Sequence, residues 1–479
     1  MGCYDLRSNV PEFLNEMQDV IRLFDRDAVF SEDGEPIFHT HAEENGMCVE
    51  TAACGGVEPA VHTSPMIEGE LERARSVRRA SKTSVFLLFR RRTGIEPPWG
   101  SLTGIRPTRL FYEALESGMT DAEAEAHLTK EFYVSPEKAS LIAEIVRMQK
   151  GFYYPGEKEF DVYAGIPFCT TRCAYCSFSS GEIGNGKRTD PYVDAIRREI
   201  AASARITDGF GLKPRAIYVG GGTPTSLSAE QLRRVLEALL DAFPGARELT
   251  VEAGRPDTIT RGKLQMLTEM GVTRISVNPQ TFSDVTLERI GRAHSAADTV
   301  AAYELAREMG FDHINMDLIA ALPGESVDDF MASLEETISL DPESITVHSL
   351  AIKRSSRLHE RLVTGKEGIS CEGADEMITK ARLRLGENGY HPYYLYRQKY
   401  MAGNLENVGY AKTGHACLYN IGNMEETARV LALGAGAITK WLFPRIRRID
   451  RAPNVKNIDE YIARVDEMVE RKRLLITEG

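Results

Sequence analysis

Tyr163-Ala164-Gly165-Ile166-Pro167-Phe168-Cys169-Thr170-Thr171-Arg172-Cys173-Ala174-Tyr175-Cys176 joins a β-rich run to three closely spaced cysteines. Val162 to Ile166 reads as a strand, and the cysteines follow on a loop with the spacing C-x-x-x-C-x-x-C. Three thiolates on one short loop can bind three irons of a cubane and leave the fourth iron without a protein ligand. An open coordination position suits a reactive metal site, whereas four thiolates suit electron transfer or structure. Zinc is the competing occupant. It would want a fourth ligand at matched spacing, usually a second C-x-x-C pair, and none is visible. The remaining cysteines, Cys3, Cys48, Cys54, Cys371 and Cys417, are scattered and read as small buried or half-buried thiols rather than a disulfide framework.

Outward from this stretch the chain alternates strands with amphipathic helices. The strands are Val162 to Ile166, Ala216 to Val219, Glu248 to Glu252, Arg274 to Val277, His313 to Ile319 and Ser344 to Val347. Between them, apolar residues recur at three- and four-residue steps over Tyr192 to Ala204, Ala229 to Ala242, Thr260 to Met270, Ala297 to Met309 and Val327 to Ser339. Such alternation predicts a parallel sheet with right-handed crossovers, here an incomplete (β/α)6 barrel of the TIM type. Chemistry in that fold sits at the C-terminal ends of strands, and polar motifs fall there. Gly220-Gly221-Gly222-Thr223-Pro224-Thr225 follows the second strand, where glycines let the backbone approach a ligand, although a plain turn would look the same. Glu252 ends the third strand, and Asn278-Pro279-Gln280 ends the fourth, with Arg292 beyond it. The fifth carries Asn315-Met316-Asp317 and leads into Ala321-Leu322-Pro323-Gly324-Glu325. Taken singly, Asp317 or Arg292 reads as a capping residue or a surface ion pair; in this order they form a set.

The set resembles the radical S-adenosylmethionine superfamily. That resemblance implies a 4Fe-4S cluster on Cys169, Cys173 and Cys176, whose open iron chelates S-adenosyl-L-methionine. It also implies reductive cleavage of that cofactor to a 5′-deoxyadenosyl radical. Gly221, Gly222, Thr223 and Pro224 match the element that binds the methionine amino group. Gln280, Arg292 and Asp317 match residues at the ribose and carboxylate, and the Leu322-Pro323-Gly324 backbone matches the adenine turn. Glu252, Tyr175 and Tyr163 complete the expected cofactor site; Tyr163 also reads as a strand residue facing the core. Over about 161–355 the chain is similar to the oxygen-independent coproporphyrinogen III dehydrogenase family, which also includes haem chaperones and haem ring-opening methyltransferases. Trp99-Gly100-Ser101-Leu102-Thr103-Gly104-Ile105-Arg106, Tyr396-Arg397-Gln398-Lys399 and Glu406 to Tyr410 look like its HemZ-type subgroup.

The resemblance implies a tetrapyrrole substrate, coproporphyrinogen III or haem, and a reduced flavodoxin- or ferredoxin-type electron donor. Its leading reaction is oxidative decarboxylation of propionates to vinyl groups in porphyrin biosynthesis; a haem chaperone and a radical haem methyltransferase are the alternatives. One departure bears on this choice. The characterised dehydrogenases carry a further cysteine two positions after the third cluster cysteine, where this chain has Phe178, and the chaperone branch lacks that cysteine as well. Lys353 and Arg354 follow the sixth strand. They read either as a solvated loop or as an anchor for propionates, which guanidinium and ammonium groups hold well. Arg397 to Lys399 is the second candidate anchor.

The flanking regions read differently. Residues 1–105 suggest an α/β accessory domain, with a helix over Val10 to Leu23 and strands at Ala28 to Phe30, Pro36 to His39 and Ser84 to Phe89. A helical connector is expected over 106–158, the barrel over 159–365, and a C-terminal α+β domain over 366–479. The formal net charge of −12 argues against a nucleic-acid partner. The basic runs at Arg90 to Arg92 and Arg445 to Arg448 read as solvated faces. No apolar run reaches the roughly 18 residues of a membrane span, and no basic segment followed by an apolar core opens the chain, so a cytoplasmic location is expected. Met1-Gly2-Cys3 lacks the Ser or Thr at position 6 that myristoylation wants, since Leu6 stands there.

Overall fold

The structure is a computed structural model that describes residues 2–104, 106–176, 180–353, 356–363, 373–398, 405–443 and 448–477. It divides into two compact units, Met1–Val146 and Arg147–Gly479. Among the described residues no helix is long and apolar enough to cross a membrane.

The first unit is built on a five-stranded sheet, ordered Val29–Phe30, Cys3–Ser8, Glu35–Glu44, Met47–Cys54 and Ala60–Pro65. The helices Leu14–Ile21 and Glu70–Thr93 pack on this sheet through Met17, Val20, Ile21, Val85, Phe86, Leu88 and Phe89. Ser84 to Phe89, expected as a strand, lies inside the second of these helices. Val85, Phe86, Leu88 and Phe89 are buried at steps of one, three and four, which is the helical period and not the alternation of a strand. The helices Asp121–Phe132 and Pro136–Met148 follow, the first opened by a capping box between Thr120 and Glu123. Arg90, Arg91 and Arg92 pair with Glu96, Glu58 and Glu35, so this basic run is a surface of ion pairs. Cys3 is exposed and therefore departs from the expected burial, whereas Cys48, Cys54 and Cys417 are buried; Cys371 lies outside the described residues.

Strands of the second unit are numbered within it. β1 (Glu159–Ile166), β2 (Lys213–Gly221), β3 (Glu248–Glu252), β4 (Arg274–Ser276), β5 (Ile314–Ala320) and β6 (Ser344–Ser349) run parallel in chain order. The crossover helices are Thr189–Gly209, Ala229–Ala242, Arg261–Glu269, Ala296–Glu308 and Val327–Ser339. Three of them start at capping boxes, Ser228 with Gln231, Ser295 with Asp298 and Ser326 with Asp329, which fixes where each helix begins. Between sheet and helices lies a core of Val, Ile, Leu and aromatic side chains that includes Val162, Ile217, Val251, Ile275 and Met316.

After Ala374–Glu387 the chain returns to the same sheet. β7 (His391–Tyr396) and β8 (Asn407–Ala411) extend it antiparallel beyond β6, while β9 (Val430–Leu433) pairs parallel with β1 and carries β10 (Ile438–Phe443) and β11 (Arg448–Pro453). Among the described residues the result is one open sheet of eleven strands with the order β7-β8-β6-β5-β4-β3-β2-β1-β9-β10-β11 and no closed barrel. The described strands within 366–479, the stretch expected as a C-terminal α+β domain, thus extend the barrel sheet at both edges: the apolar run Val430-Leu431-Ala432-Leu433 pairs with the edge of β1 and is buried there. A buried ion pair ties this return to the barrel. Lys472 Nζ lies 2.6 Å from Glu199 Oε1, and Tyr461, Asn454 and the Gly434 amide donate to the same carboxylate.

Candidate functional site

A cavity of about 500 Å³ opens at the C-terminal ends of β1 to β6. Cys169, Cys173 and Cys176 stand on its rim, each half-buried. Backbone hydrogen bonds hold the first half of their loop: Thr223 N donates to Phe168 O at 2.7 Å, Gly222 N to Ile166 O at 2.8 Å, and Ile183 N to Cys169 O at 2.8 Å. The glycine-rich turn is therefore laced to the residues before the first cysteine. A Cβ on Gly222 would lie 2.6 Å from Phe168 O and 3.0 Å from Cys169 Sγ, and Gly221 has a φ of +112°. Neither position tolerates a side chain without moving the loop. Ala174 N donates to Ile290 O and Cys176 N to Cys173 O, which fixes the second half.

Strand ends supply the walls. Arg292 reaches across the cavity top, donating to Tyr175 Oη at 3.2 Å and to the carbonyls of Gly254 and Asn278 at 3.3 and 3.4 Å. Gln280 has a φ of +68°, rare for a residue with a side chain, and its amide donates to Asp317 O. Asn315 Nδ2 donates to Asp317 Oδ1 at 2.8 Å, and His348 Nε2 lies 3.8 Å from Asp317 Oδ2. Burial pushes the Asp317 carboxyl up, but nearby His348, with the Asn315 hydrogen bond and Thr346, outweighs it and holds it below the usual range. Glu252 behaves in the opposite way: burial, with the Asp317 charge added, pushes it up to about 7 despite the Tyr218 hydroxyl 2.5 Å away.

The floor comes from the C-terminal return. Tyr163, Tyr218 and Tyr419 stack, with Tyr218 and Tyr419 centroids 4.4 Å apart, and Asn420, Asn423 and Met424 line the cavity beside them. These last residues sit on the helix Leu418–Glu425, which enters the N-terminal end of the barrel. Glu248 caps it, accepting from the amides of Leu418 and Tyr419 at 2.9 and 3.2 Å. Nearby, Arg215 forms two hydrogen bonds with buried Asp161, at 2.9 and 2.6 Å.

Of the residues singled out in the sequence, Cys169, Cys173, Cys176, Tyr163, Tyr175, Gly221, Gly222, Thr223, Glu252, Gln280, Arg292, Asp317 and Lys353 all line this one cavity. Pro224 is buried at the start of a 3-10 turn. Leu322 packs into an apolar cluster with Ala174, Leu287, Ile290, Leu350 and Leu358, so its side chain supports the turn from behind. Arg354, Phe178 and Lys399 lie outside the described residues. Sequence reasoning passed over Tyr218, Asn315, Thr346, His348, Tyr394 and Tyr396 as cavity residues. Their signal was the alternation of strand residues: 315 with 317, 346 with 348 and 394 with 396 face inward together.

The cavity fits the groups expected of it. Arg292 Nε, Gln280 Oε1, Asn278 Oδ1 and Ser276 Oγ are buried on its walls without a hydrogen-bond partner, so polar groups aimed inward await a polar ligand. Among the described residues no three His, Cys, Asp or Glu side chains converge as they would on a single ion.

Comparison with known proteins agrees with this chemistry. Residues 163–337 match the Radical SAM superfamily model. The chain is 42% identical to the oxygen-independent coproporphyrinogen-III oxidase-like protein HemZ of Bacillus subtilis, over 80% of this chain and 78% of that one. It is 33% identical to the heme chaperone HemW of the same organism, over 57% of this chain and 69% of that one. Among solved structures, coproporphyrinogen III oxidase (HemN) from Escherichia coli, a radical SAM enzyme, superposes with a TM-score of 0.54 at 22% identity, covering 67% of this chain and 72% of that one.

Proposed function

We propose, from the premise that this chain belongs to the radical S-adenosylmethionine superfamily in its HemZ-type, coproporphyrinogen-III oxidase-like branch, that it cleaves S-adenosylmethionine to oxidise coproporphyrinogen III without oxygen. Members of the superfamily use a 4Fe-4S cluster and S-adenosylmethionine, and relatives of this chain are tied to tetrapyrroles. The observation that carries the reading is the gathering of the three cysteines, the glycine turn, Gln280, Arg292 and Asp317 around one cavity although they come from separate strand ends.

In this reading Cys169, Cys173 and Cys176 hold the cluster. When bound, the cluster and its cofactor supply a one-electron carbon–sulfur cleavage that yields a hydrogen-abstracting adenosyl radical. This chain's residues do the rest. Gly222 and Gly221 keep the backbone bare next to Cys169, so a ligand's amino group can approach and donate to the carbonyls of the turn. Arg292 offers its unpartnered Nε to a carboxylate. Asp317, held ionised by its neighbours, accepts from ribose hydroxyls. Gln280 presents an amide oxygen to the same region, and the Tyr163–Tyr218–Tyr419 stack gives the substrate an aromatic floor. Lys353 on the rim, with Arg354 after it, anchors propionates.

A second reading, a haem chaperone, is favoured by two observations: the similarity to HemW and Phe178 in place of a further cysteine. One experiment separates them. Reconstituted protein is incubated anaerobically with S-adenosylmethionine, a reductant and coproporphyrinogen III, and the products are weighed. Loss of two carbon dioxide units per substrate supports the oxidase; tight haem binding with no turnover of coproporphyrinogen supports the chaperone. Methylated, ring-opened haem in a parallel incubation with haem would mark the third alternative.

A further inference from the structure

The segment between the first two cysteines, Thr170 to Arg172, is gripped by a side chain from another strand. Arg255 follows β3 and is only 4% exposed. Its Nη1 donates to Thr171 O at 3.0 Å and to Thr171 Oγ1 at 2.9 Å, and lies 4.0 Å from Cys173 Sγ. Its Nε and Nη2 are held by Asp257 at 2.9 and 3.2 Å, and Asp257 also accepts from Thr170 Oγ1 at 2.9 Å. Buried His294 stands 3.8 Å from the same carboxylate. Burial pushes the Asp257 carboxyl up, but nearby His294 and the hydrogen bonds from Arg255 and Thr170 outweigh it and hold it far below the ordinary range, so the anchor stays charged. A bidentate pair fixes a guanidinium in orientation as well as in place. Here the fixed guanidinium faces one cysteine and ties down the residues that space it from another.

We propose that Arg255 is a positioning residue of the cysteine loop, held by Asp257, and that its charge beside Cys173 raises the reduction potential of the cluster. The proposal rests on the reading that Cys169, Cys173 and Cys176 hold that cluster. Reduction adds negative charge to the iron–sulfur core and its thiolates. A cation fixed against a ligand sulfur stabilises the reduced form more than the oxidised one. The hydrogen bonds to Thr171 serve a separate end, since they set where Cys173 stands relative to Cys169. A lysine at 255 would keep the charge and lose the fork.

The test is an EPR-monitored potentiometric titration of the full chain, reconstituted anaerobically with iron and sulfide, for the parent, Arg255→Met, Arg255→Gln and Arg255→Lys. Iron content is measured on each. Arg255→Met and Arg255→Gln should take up parent levels of iron and shift the midpoint negative by about 59 mV, a tenfold change for a one-electron couple. Arg255→Lys should stay near the parent. Loss of iron by all three variants, Arg255→Lys included, supports the loop-holding role, since lysine keeps the charge and loses the fork. Iron-replete neutral variants with the parent midpoint overturn the proposal, as does a Lys variant shifted as far as Met. A parent that shows no cubane signal overturns instead the cluster reading beneath it.

Discussion

Glu248 and Glu252 stand at opposite ends of the same short strand, β3, and meet opposite surroundings. Glu248, at the N-terminal end, has its oxygens taken by the amides of Leu418 and Tyr419 and by the Cys417 thiol, with Arg274 3.7 Å away. Glu252, at the C-terminal end, faces the cavity with Tyr218 as its hydrogen-bonded neighbour and rises to about 7. The contrast extends across the barrel. At one end Asp161 and Arg215 satisfy each other; at the other Arg292 Nε, Gln280 Oε1 and Asn278 Oδ1 are buried without partners. Closed polar networks hold a structure together, and open ones mark where a ligand enters. One sheet keeps the two kinds a strand's length apart.

The largest expected effect tests the open end. Cys169→Ala, Cys173→Ala and Cys176→Ala should each lose most iron and all 5′-deoxyadenosine formation, while Cys417→Ala at the closed end keeps both. Full cofactor cleavage by any of the three would break the contrast at its centre. Next comes the closed end. Burial already raises Asp161 to about 6 beside Arg215, so Arg215→Met strands a buried carboxyl that must take up a proton, and should cost about 3–5 kcal/mol in a urea or guanidinium titration at neutral pH. A loss below about 1 kcal/mol would show that water reaches that pair. Asp317→Ala should leave folding intact and weaken S-adenosylmethionine binding by about tenfold to a hundredfold, the worth of roughly 1.5–3 kcal/mol for a hydrogen bond to a charged group. Calorimetry with unchanged affinity would remove Asp317 from the site. The smallest effect is a slope. Glu252 is raised from 4.5 to about 7, so between those values the folded chain keeps a proton that the unfolded chain has lost. Stability of the ligand-free protein should therefore fall as pH rises through that window, and Glu252→Gln should flatten the fall. Equal slopes in the two proteins would mean that Glu252 ionises freely.

The open end was far more legible in the sequence than the closed one, for a physical reason. Ligand chemistry at strand ends is written locally: Cys169 to Cys176, Gly220 to Thr225 and Asn278 to Gln280 each combine unusual residue types within a few positions. Asp161 and Arg215 lie 54 positions apart, and Glu248 and Leu418 lie 170 apart, so nothing near either residue announces its partner. Residues such as Asn315, Thr346 and Tyr394 are ordinary strand residues by type, and only the strand register turns them toward the cavity. The Ser84 to Phe89 run was misleading because a short apolar stretch rich in Val and Phe suits a strand and a buried helix equally.

The helix Leu418–Glu425 gives this fold an order in time. The three cysteines leave the ribosome about 250 residues before Met424 does, an interval of roughly 12–50 s at ordinary rates of synthesis. Throughout it β1 has at most one neighbour in the sheet, β2 once that is made, because β9 has not yet been made. Tyr419, the last ring of the aromatic floor, and the seal beneath it arrive nearly last. A nascent chain thus carries three free thiols over a half-built, bottomless barrel, and a chain stalled or cut before residue 418 would keep the whole cysteine motif yet never enclose a cavity beneath it.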